Sequence, residues 1–264
     1  MIAIEGGTKY FCRGGVNQAV ALEDIDLHIE EGEFVTVIGS NGAGKSTLLN
    51  GIAGSLFFDA GSIRIGGREV TRWPEYKRAK LISRVFQDPL LGTCPSATIE
   101  QNMALAYRRG KRRGLRIGVR GKDRTFFREQ LRKLGLGLED RLSDRVGLLS
   151  GGQRQAMTML MATMLRPEVM LLDEHVAALD PKTANQILSL TIAIVETKKL
   201  TTLMVTHNMK QAIALGSRLI MLHQGRLIFD IRGKEKKGLT VNDLLKKFYN
   251  TQGEELAVDS LLLT

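Results

Sequence analysis

Gly39, Ser40, Asn41, Gly42, Ala43, Gly44, Lys45, Ser46 and Thr47 form one run, GSNGAGKST. It sits between the β-favouring FVTVI (34–38) and the helical-looking TLLNGIAG (47–54). From Gly39 to Ser46 the spacing is G-x-x-x-x-G-K-S, a strand, a glycine loop and a helix in order. Such a loop turns backbone N–H groups inward through dihedrals that glycine permits, and the helix N-terminus behind it favours an anion. The chemistry suggested is phosphate binding: Lys45 reaches the β- and γ-phosphates of a nucleotide and the Ser46 hydroxyl ligates Mg²⁺. A glycine turn that happens to precede a lysine is the plain alternative, and the flanking strand and helix argue against it.

A second group of residues ends the apolar run VMLLDE (169–174). Asp173 at the tip of a strand can hold Mg²⁺ through its water shell, and Glu174 can take a proton from an attacking water. Two acids after a strand also make an ordinary solvated turn; a phosphate cradle in the same chain weakens that reading. A third group is LLSGGQRQ (148–155), where Ser150, Gly151, Gly152 and Gln153 open a helix with a hydroxyl and exposed N–H groups. This is either a second anion site or simply an N-capped helix. As an anion site it leaves one chain with two phosphate-binding ends, more than one nucleotide needs. Two chains arranged head to tail resolve the excess, each signature facing the other chain's cradle across a two-fold axis with ATP between them.

The elements that must position these groups are legible in outline. Ile25, Leu27 and Ile29 alternate with Asp26, His28 and Glu30, as in a half-buried strand. Buried-strand candidates follow at 34–38, 169–172, 202–206 and 218–222, with helix-like segments at 181–197 and 208–215. Strands alternating with helices indicate an α/β fold with a mostly parallel sheet. Between Arg84 and Pro167 strands are hard to find, while 98–107, 152–165 and the face formed by Phe127, Leu131 and Leu134 read as helical. The expectation is an α/β nucleotide-binding core at 1–86 and 167–232 with a β region inside 1–70. A helical subdomain at 87–166 is inserted in it, and a C-terminal helix and tail occupy 233–264. The 264 residues carry ordinary apolar and charged fractions for a globular chain, and no run reaches the ~18 apolar residues of a membrane span. The start, MIAIEGGTKY, has no signal-peptide pattern, and Cys12 and Cys94 match no metal or redox spacing, so a reducing, cytosolic setting is expected.

Taken together and in this order, the motifs resemble the ATP-binding subunits of bacterial ABC transporters, and the resemblance runs from about residue 2 to 248. It implies a P-loop NTPase core of ABC-ATPase type with an N-terminal antiparallel β region and an inserted helical subdomain. It also implies further roles. Phe11 stands where an aromatic stacks on adenine, and Gln87 in RVFQDP matches the glutamine that joins core to helical subdomain and senses Mg²⁺ and the γ-phosphate. Asp180 in AALD matches the acid lying across the dimer interface. His207 at the end of TLMVTH matches the switch histidine that contacts the γ-phosphate. The implied cofactors are ATP and Mg²⁺. The implied partners are a second copy, an integral membrane permease and, indirectly, a substrate-binding protein, with the chain peripheral on the cytoplasmic face of the membrane. The permease groove is expected near Gln87, with Leu90 and Leu91 either exposed in it or part of the subdomain core. ALAYRRGKRRGLRIG and LLDEHVAALDPKTA look like a bacterial group believed to act with one permease and a lipoprotein substrate-binding protein on small molecules such as aromatic amino acids. One departure stands out: after Glu174 the family has Pro-Thr or Pro-Ser, whereas this chain has His175-Val176. His175 reads either as a satisfied structural histidine or as a pH-sensitive group beside the chemistry.

Other classes fit less well. Nucleic-acid-acting ABC ATPases either separate cradle and signature by long coiled coils or zinc modules, or carry two cassettes; here about 100 residues intervene and there is one cassette. A GTPase would need N-K-x-D, a kinase has no use for the signature, and a non-catalytic switch would not retain Glu174. What favours nucleic acid is the basic run from Tyr107 to Arg124, whose residues 108–124 hold nine Arg/Lys against one Asp while the whole chain carries only +10. Four glycines interrupt it and no aromatic lies between Arg108 and Arg124, so a solvated loop or a contact with anionic lipid or permease suits it better than a stacking platform.

Overall fold

The computed structural model describes residues 1–12, 14, 18–111 and 118–252. Along the chain run β1 (Ile2–Phe11), β2 (Ala19–Ile29), β3 (Phe34–Gly39), α1 (Lys45–Ala53), β4 (Ala60–Ile65), β5 (Arg68–Glu69), α2 (Glu75–Arg78) and β6 (Ile82–Val85). Then follow α3 (Ile99–Tyr107), α4 (Gly121–Arg132), α5 (Gly151–Thr163), β7 (Val169–Asp173), α6 (Pro181–Lys198), β8 (Thr201–Val205) and α7 (Met209–Ala214). The last elements are β9 (Arg218–His223), β10 (Arg226–Arg232), α8 (Gly233–Lys237) and α9 (Val241–Gln252). The chain forms two compact units, one of Met1–Arg78 with the chain from Lys199 onward, the other Ala79–Lys198.

In the first unit an antiparallel sheet of order β2-β1-β4-β5 precedes a set of order β10-β9-β3-β8. β3 pairs in parallel with both β8 and β9, so all six of its residues are buried. A strand covered on both faces has no solvent side, which is why FVTVI is continuously apolar while β2, with one exposed face, alternates. β9 and β10 make a hairpin whose buried Arg218 forks onto Asp230 with two 2.6 Å bonds and donates to the His28 carbonyl. Burial pushes the Asp230 carboxyl upward, but the guanidinium groups of Arg218 and Arg232 outweigh it and hold it below the usual range.

In the second unit β6 and β7 pair in parallel, Ile82 with Val169 through Val85 with Leu172. The helices α3, α4 and α5 close on a core of Ile99, Met103, Phe127, Leu131, Met157 and Leu160. α3 opens with a capping box between Thr98 and Gln101. α4 ends at Arg132, so Leu134 packs beside this core from beyond the helix rather than from its third turn. Strands β6 and β10 are short or polar enough to have left little periodic signal in the sequence.

Much of the described part of the basic run is exposed, including Lys111, Arg120, Lys122 and Arg124. Residues 112–117 lie outside those described, but its flanks are held by the fold. Arg109 directs its guanidinium toward the Ala162 and Leu165 carbonyls, Arg124 pairs with Glu100 at 2.7 Å, and Lys111 lies over the Tyr107 ring. Tyr107 itself packs on Phe126 and Phe127. Carbonyl acceptors at the end of a buried helix and a facing carboxylate gave these cations structural partners that are far away in sequence.

Candidate functional site

The phosphate cradle belongs to the first unit. β3 delivers the chain into it at Gly39 and α1 leaves it at Lys45. Two glycines are required by close backbone approach: a Cβ on Gly39 would meet the Leu222 carbonyl oxygen at 2.2 Å, and one on Gly44, at φ 99°, would meet that of Ala21 at 2.4 Å. The loop is therefore wedged between β2 and the end of β9, and it leads directly into the start of α1. Lys45 is only 6% exposed, and its ammonium donates to the carbonyls of Gly39 at 2.7 Å and Ser40 at 2.9 Å. Asn41, Gly42 and Ser46 are exposed, Thr47 is half-buried and Ala43 is buried.

The far end of α1 is held by a residue the sequence did not single out. Arg78 is fully buried and donates to the Gly51 and Ile52 carbonyls at 2.7 and 2.9 Å, and to those of Trp73 and Thr71. Burial pushes its pKa down to about 10, so it stays charged at neutral pH, at the negative end of the helix whose other end faces the cradle. His223 was also missed: its Nδ1 lies 3.4 Å from the Ser40 hydroxyl and its ring packs edge-on against Phe248 of α9. Only the pairing of β9 with β3 brings it there. Phe11, at the end of β1, is 43% exposed with the Lys9 ammonium 6.0 Å from its ring centre, an open ring and not a core one. His207 follows β8, half-buried, and Asn208 after it caps α7 through the Gln211 N–H.

The second unit holds the carboxylates, Gln87 and the signature. Because β6 and β7 are parallel and in register, Phe86-Gln87 and Asp173-Glu174 leave adjacent strands at the same end. Asp173 accepts a 2.6 Å bond from Arg84, whose guanidinium also lies 4.7 Å over the Phe86 ring. Glu174 has φ 45°, the left-handed region that a glutamate rarely adopts, and its carbonyl accepts from the Ala177 N–H at 2.9 Å. Gln87 is exposed, as are Leu90 and Leu91, the latter 70%, so these leucines are surface and not subdomain core.

His175 is 1% exposed. The Thr191 hydroxyl donates to the Ile187 carbonyl, which leaves its oxygen to accept from His175 Nε2 at 3.0 Å. Burial pushes the imidazole down to about 4. The expectation of a pH-sensitive group beside the chemistry is therefore corrected: the ring is neutral throughout the physiological range, a structural histidine bonded through Nε2 while its buried Nδ1 has no partner among the described residues.

Ser150 and Gln153 form a capping box at the start of α5, Ser150 Oγ accepting from the Gln153 N–H and the Gln153 side chain from the Ser150 N–H, both at 3.2 Å. The N-capped helix is thus real geometry, and it leaves the N–H groups of Gly151 and Gly152 without intrahelical acceptors, as at any helix start. Gly152 has no room for a side chain, since a Cβ would stand 2.3 Å from Thr183 Cγ2. Asp180 caps α6, accepting from the Thr183 N–H at 3.0 Å, and the Thr183 side-chain and backbone bonds hold its exposed carboxyl below the usual range.

What these parts can do is grip a polyphosphate with a glycine-lined helix N-terminus and a buried lysine, and offer a second helix N-terminus to an anion. In the first unit Ser46, and in the second Gln87 and Asp173, each carry a side-chain oxygen of the kind a hard cation such as Mg²⁺ takes. No helix among the described residues is long and apolar enough to cross a membrane.

The comparisons with known proteins agree with this inventory. The ABC transporter family profile matches residues 22–177. A tyrosine transport ATP-binding protein of Clostridioides difficile (strain R20291) is 46% identical over 248 residues, 94% of this chain and 98% of that protein. A phosphonates import ATP-binding protein of Frankia casuarinae is 34% identical over 235 residues, 87% of this chain and 89% of that one. Among solved structures, a dimeric post-hydrolysis state of an ATP-binding cassette bound to ADP and Pi superposes with a TM-score of 0.75 at 30% identity, covering 88% of this chain and 98% of the other. A nucleotide-binding cradle, an α/β core with an antiparallel β region and helical insert, and full-length similarity to transport ATPases converge on one conclusion: the chain belongs to the ABC transporter family, as an ATP-binding subunit that hydrolyses ATP.

Proposed function

We propose that two copies of this chain, paired head to tail, hydrolyse ATP to drive an amino acid, of aromatic type, through a partner permease supplied by a substrate-binding protein. The observation that carries the cargo is the 46% identity to a tyrosine transport ATP-binding protein across nearly the whole of both chains. The chain sits peripherally at the cytoplasmic face of the membrane, and the exposed Leu90 and Leu91 beside Gln87 form its contact with the permease.

In this reading the loop N–H groups from Gly39 to Thr47 and Lys45 bind the phosphates, and Phe11 stacks on the adenine. Ser46, Gln87 and Asp173 would hold Mg²⁺, which neutralises phosphate charge when bound. Glu174 accepts a proton from the attacking water as its oxygen bonds to the γ-phosphorus and the β–γ bridging bond breaks, giving ADP and phosphate. His207 donates to the γ-phosphate, and Ser150, Gly151, Gly152, Gln153 and Asp180 serve the nucleotide held by the other copy. The Arg84 bond to Asp173 keeps that carboxylate oriented at the strand tip. A nucleic-acid role finds no support, since Tyr107 is packed among phenylalanines and Arg109 and Arg124 have structural partners.

The test is to purify the chain with its native membrane complex and assay ATP hydrolysis with the co-purified binding protein and tyrosine. An integral membrane permease and amino-acid-stimulated turnover are expected; recovery of RNA or DNA in place of a permease overturns the reading. Glu174→Gln should accumulate an ATP-bound dimer, and normal turnover by that variant would remove Glu174 as the base.

A further inference from the structure

Gln155 lies in the second turn of α5, is fully buried, and was assigned no role by its motif. Its Nε2 donates to the His175 carbonyl at 2.6 Å and to the Phe86 carbonyl at 3.2 Å. The two partners are both acceptors, so the amide orientation follows: only the –NH₂ end, with one proton for each, can face them. Each carbonyl belongs to a residue adjacent to a site residue, Phe86 before Gln87 and His175 after Glu174. Glu174 itself is held in the left-handed region, and the ring of His175 is tied to Thr191 of α6. The peptide after the base is thus pinned from α5 through its carbonyl and from α6 through its side chain.

The Gln155 oxygen is buried with no hydrogen-bond partner among the described residues. Ala156, next to it in α5, packs with Val176 and Ile187. A buried acceptor left unsatisfied costs about 1–3 kcal/mol, which offsets part of what the two amide bonds to the Phe86 and His175 carbonyls contribute. We propose that Gln155 is a positioning residue that couples the signature at the start of α5 to both Gln87 and Glu174, one proton of its amide for each. Engagement of Ser150–Gln153 by the nucleotide of a second copy then moves, through one side chain, the loop carrying the base and the loop carrying the γ-phosphate sensor. This rests on the roles proposed above for Glu174, Gln87 and the signature.

The experiment uses the full chain with Gln155→Met, Gln155→Glu and Glu174→Gln, measuring kcat and KM for MgATP, equilibrium ATP binding and thermal midpoint. Gln155→Met should lower kcat at least tenfold and leave ATP Kd within twofold, with a lower midpoint because the Phe86 and His175 carbonyls lose their shared donor. Gln155→Glu places a carboxylate against two carbonyls; only its protonated form donates a bond, so its kcat deficit relative to wild type should shrink as pH falls from 8.5 to 6. Turnover within twofold of wild type by Gln155→Met, or a loss of ATP affinity that parallels the loss of kcat, overturns the proposal. If Gln155→Met does not fold, a pH-independent deficit in Gln155→Glu overturns it instead. Glu174→Gln separates the layers: if it turns over normally the base assignment fails, whereas an inactive Glu174→Gln beside a fully active Gln155→Met removes only the role of Gln155.

Discussion

The buried imidazole of His175 makes stability depend on pH in a calculable way. Its pKa is about 4 in the folded chain against an ordinary 6.5. Between those values the unfolded chain binds a proton that the folded chain does not, so stability rises with pH across that window and falls as pH drops from 6.5 toward 4. Its full extent is about 3 kcal/mol, at roughly 1.4 kcal/mol per pKa unit. Between pH 7.5 and 5.5 the same relation gives a loss of about 1.3 kcal/mol, or roughly 3–5 °C in thermal midpoint for a chain of this size. The perturbation is His175→Gln, a non-titrating amide of similar reach toward Thr191. Thermal unfolding of both proteins at pH 7.5 and 5.5 cancels the contribution of every other titrating group. The midpoint of wild type should fall by those extra few degrees between the two pH values, compared with the variant. Equal pH dependence in the two proteins would refute the buried neutral ring. The ATPase pH profile between 6.5 and 8 should carry no His175 titration in either.

Three further outcomes follow from the geometry. Gly44→Ala places a methyl 2.4 Å from the Ala21 carbonyl at φ 99° and should abolish ATP binding in an equilibrium assay while costing on the order of 2–4 kcal/mol of stability; retained ATP affinity would contradict it. Arg78→Met leaves the Gly51, Ile52, Trp73 and Thr71 carbonyls without this donor and should cost about 3 kcal/mol or more in urea unfolding, against less than 1 kcal/mol if the guanidinium is dispensable. Arg84→Gln removes the cation bonded to Asp173, so the Mg²⁺ concentration that half-saturates ATP binding should fall several-fold; no change would show that the Arg84 pair does not compete with metal.

Much of the candidate site was readable because phosphate chemistry dictates local sequence. Where a Cβ would stand only 2.2–2.4 Å from neighbouring carbonyl oxygens the loop can only be glycine, and a strand covered on both faces can only be apolar. Those constraints act within a few residues, so GSNGAGKST, VMLLDE and LLSGGQ announce themselves. Arg78, His223 and Gln155 did not, because their partners lie 5–27, 183 and 20–69 residues away along the chain. A buried arginine satisfied by carbonyls leaves no acidic residue in sequence to point to it.

The basic run shows the same limit from the other side. Composition recorded a dense positive segment and left several uses open; the helix ends, the Glu100 carboxylate and the Tyr107–Phe126–Phe127 cluster decided how its flanks are used. By itself the amino-acid order determined the principal core strands and helices, the cradle and the carboxylates, since each depends on spacing and local conformation. Only tertiary packing decided that His175 is neutral, that Leu91 is exposed and that one glutamine joins two motif loops, because burial and hydrogen-bond pairing are properties of residues brought together from distant parts of the chain.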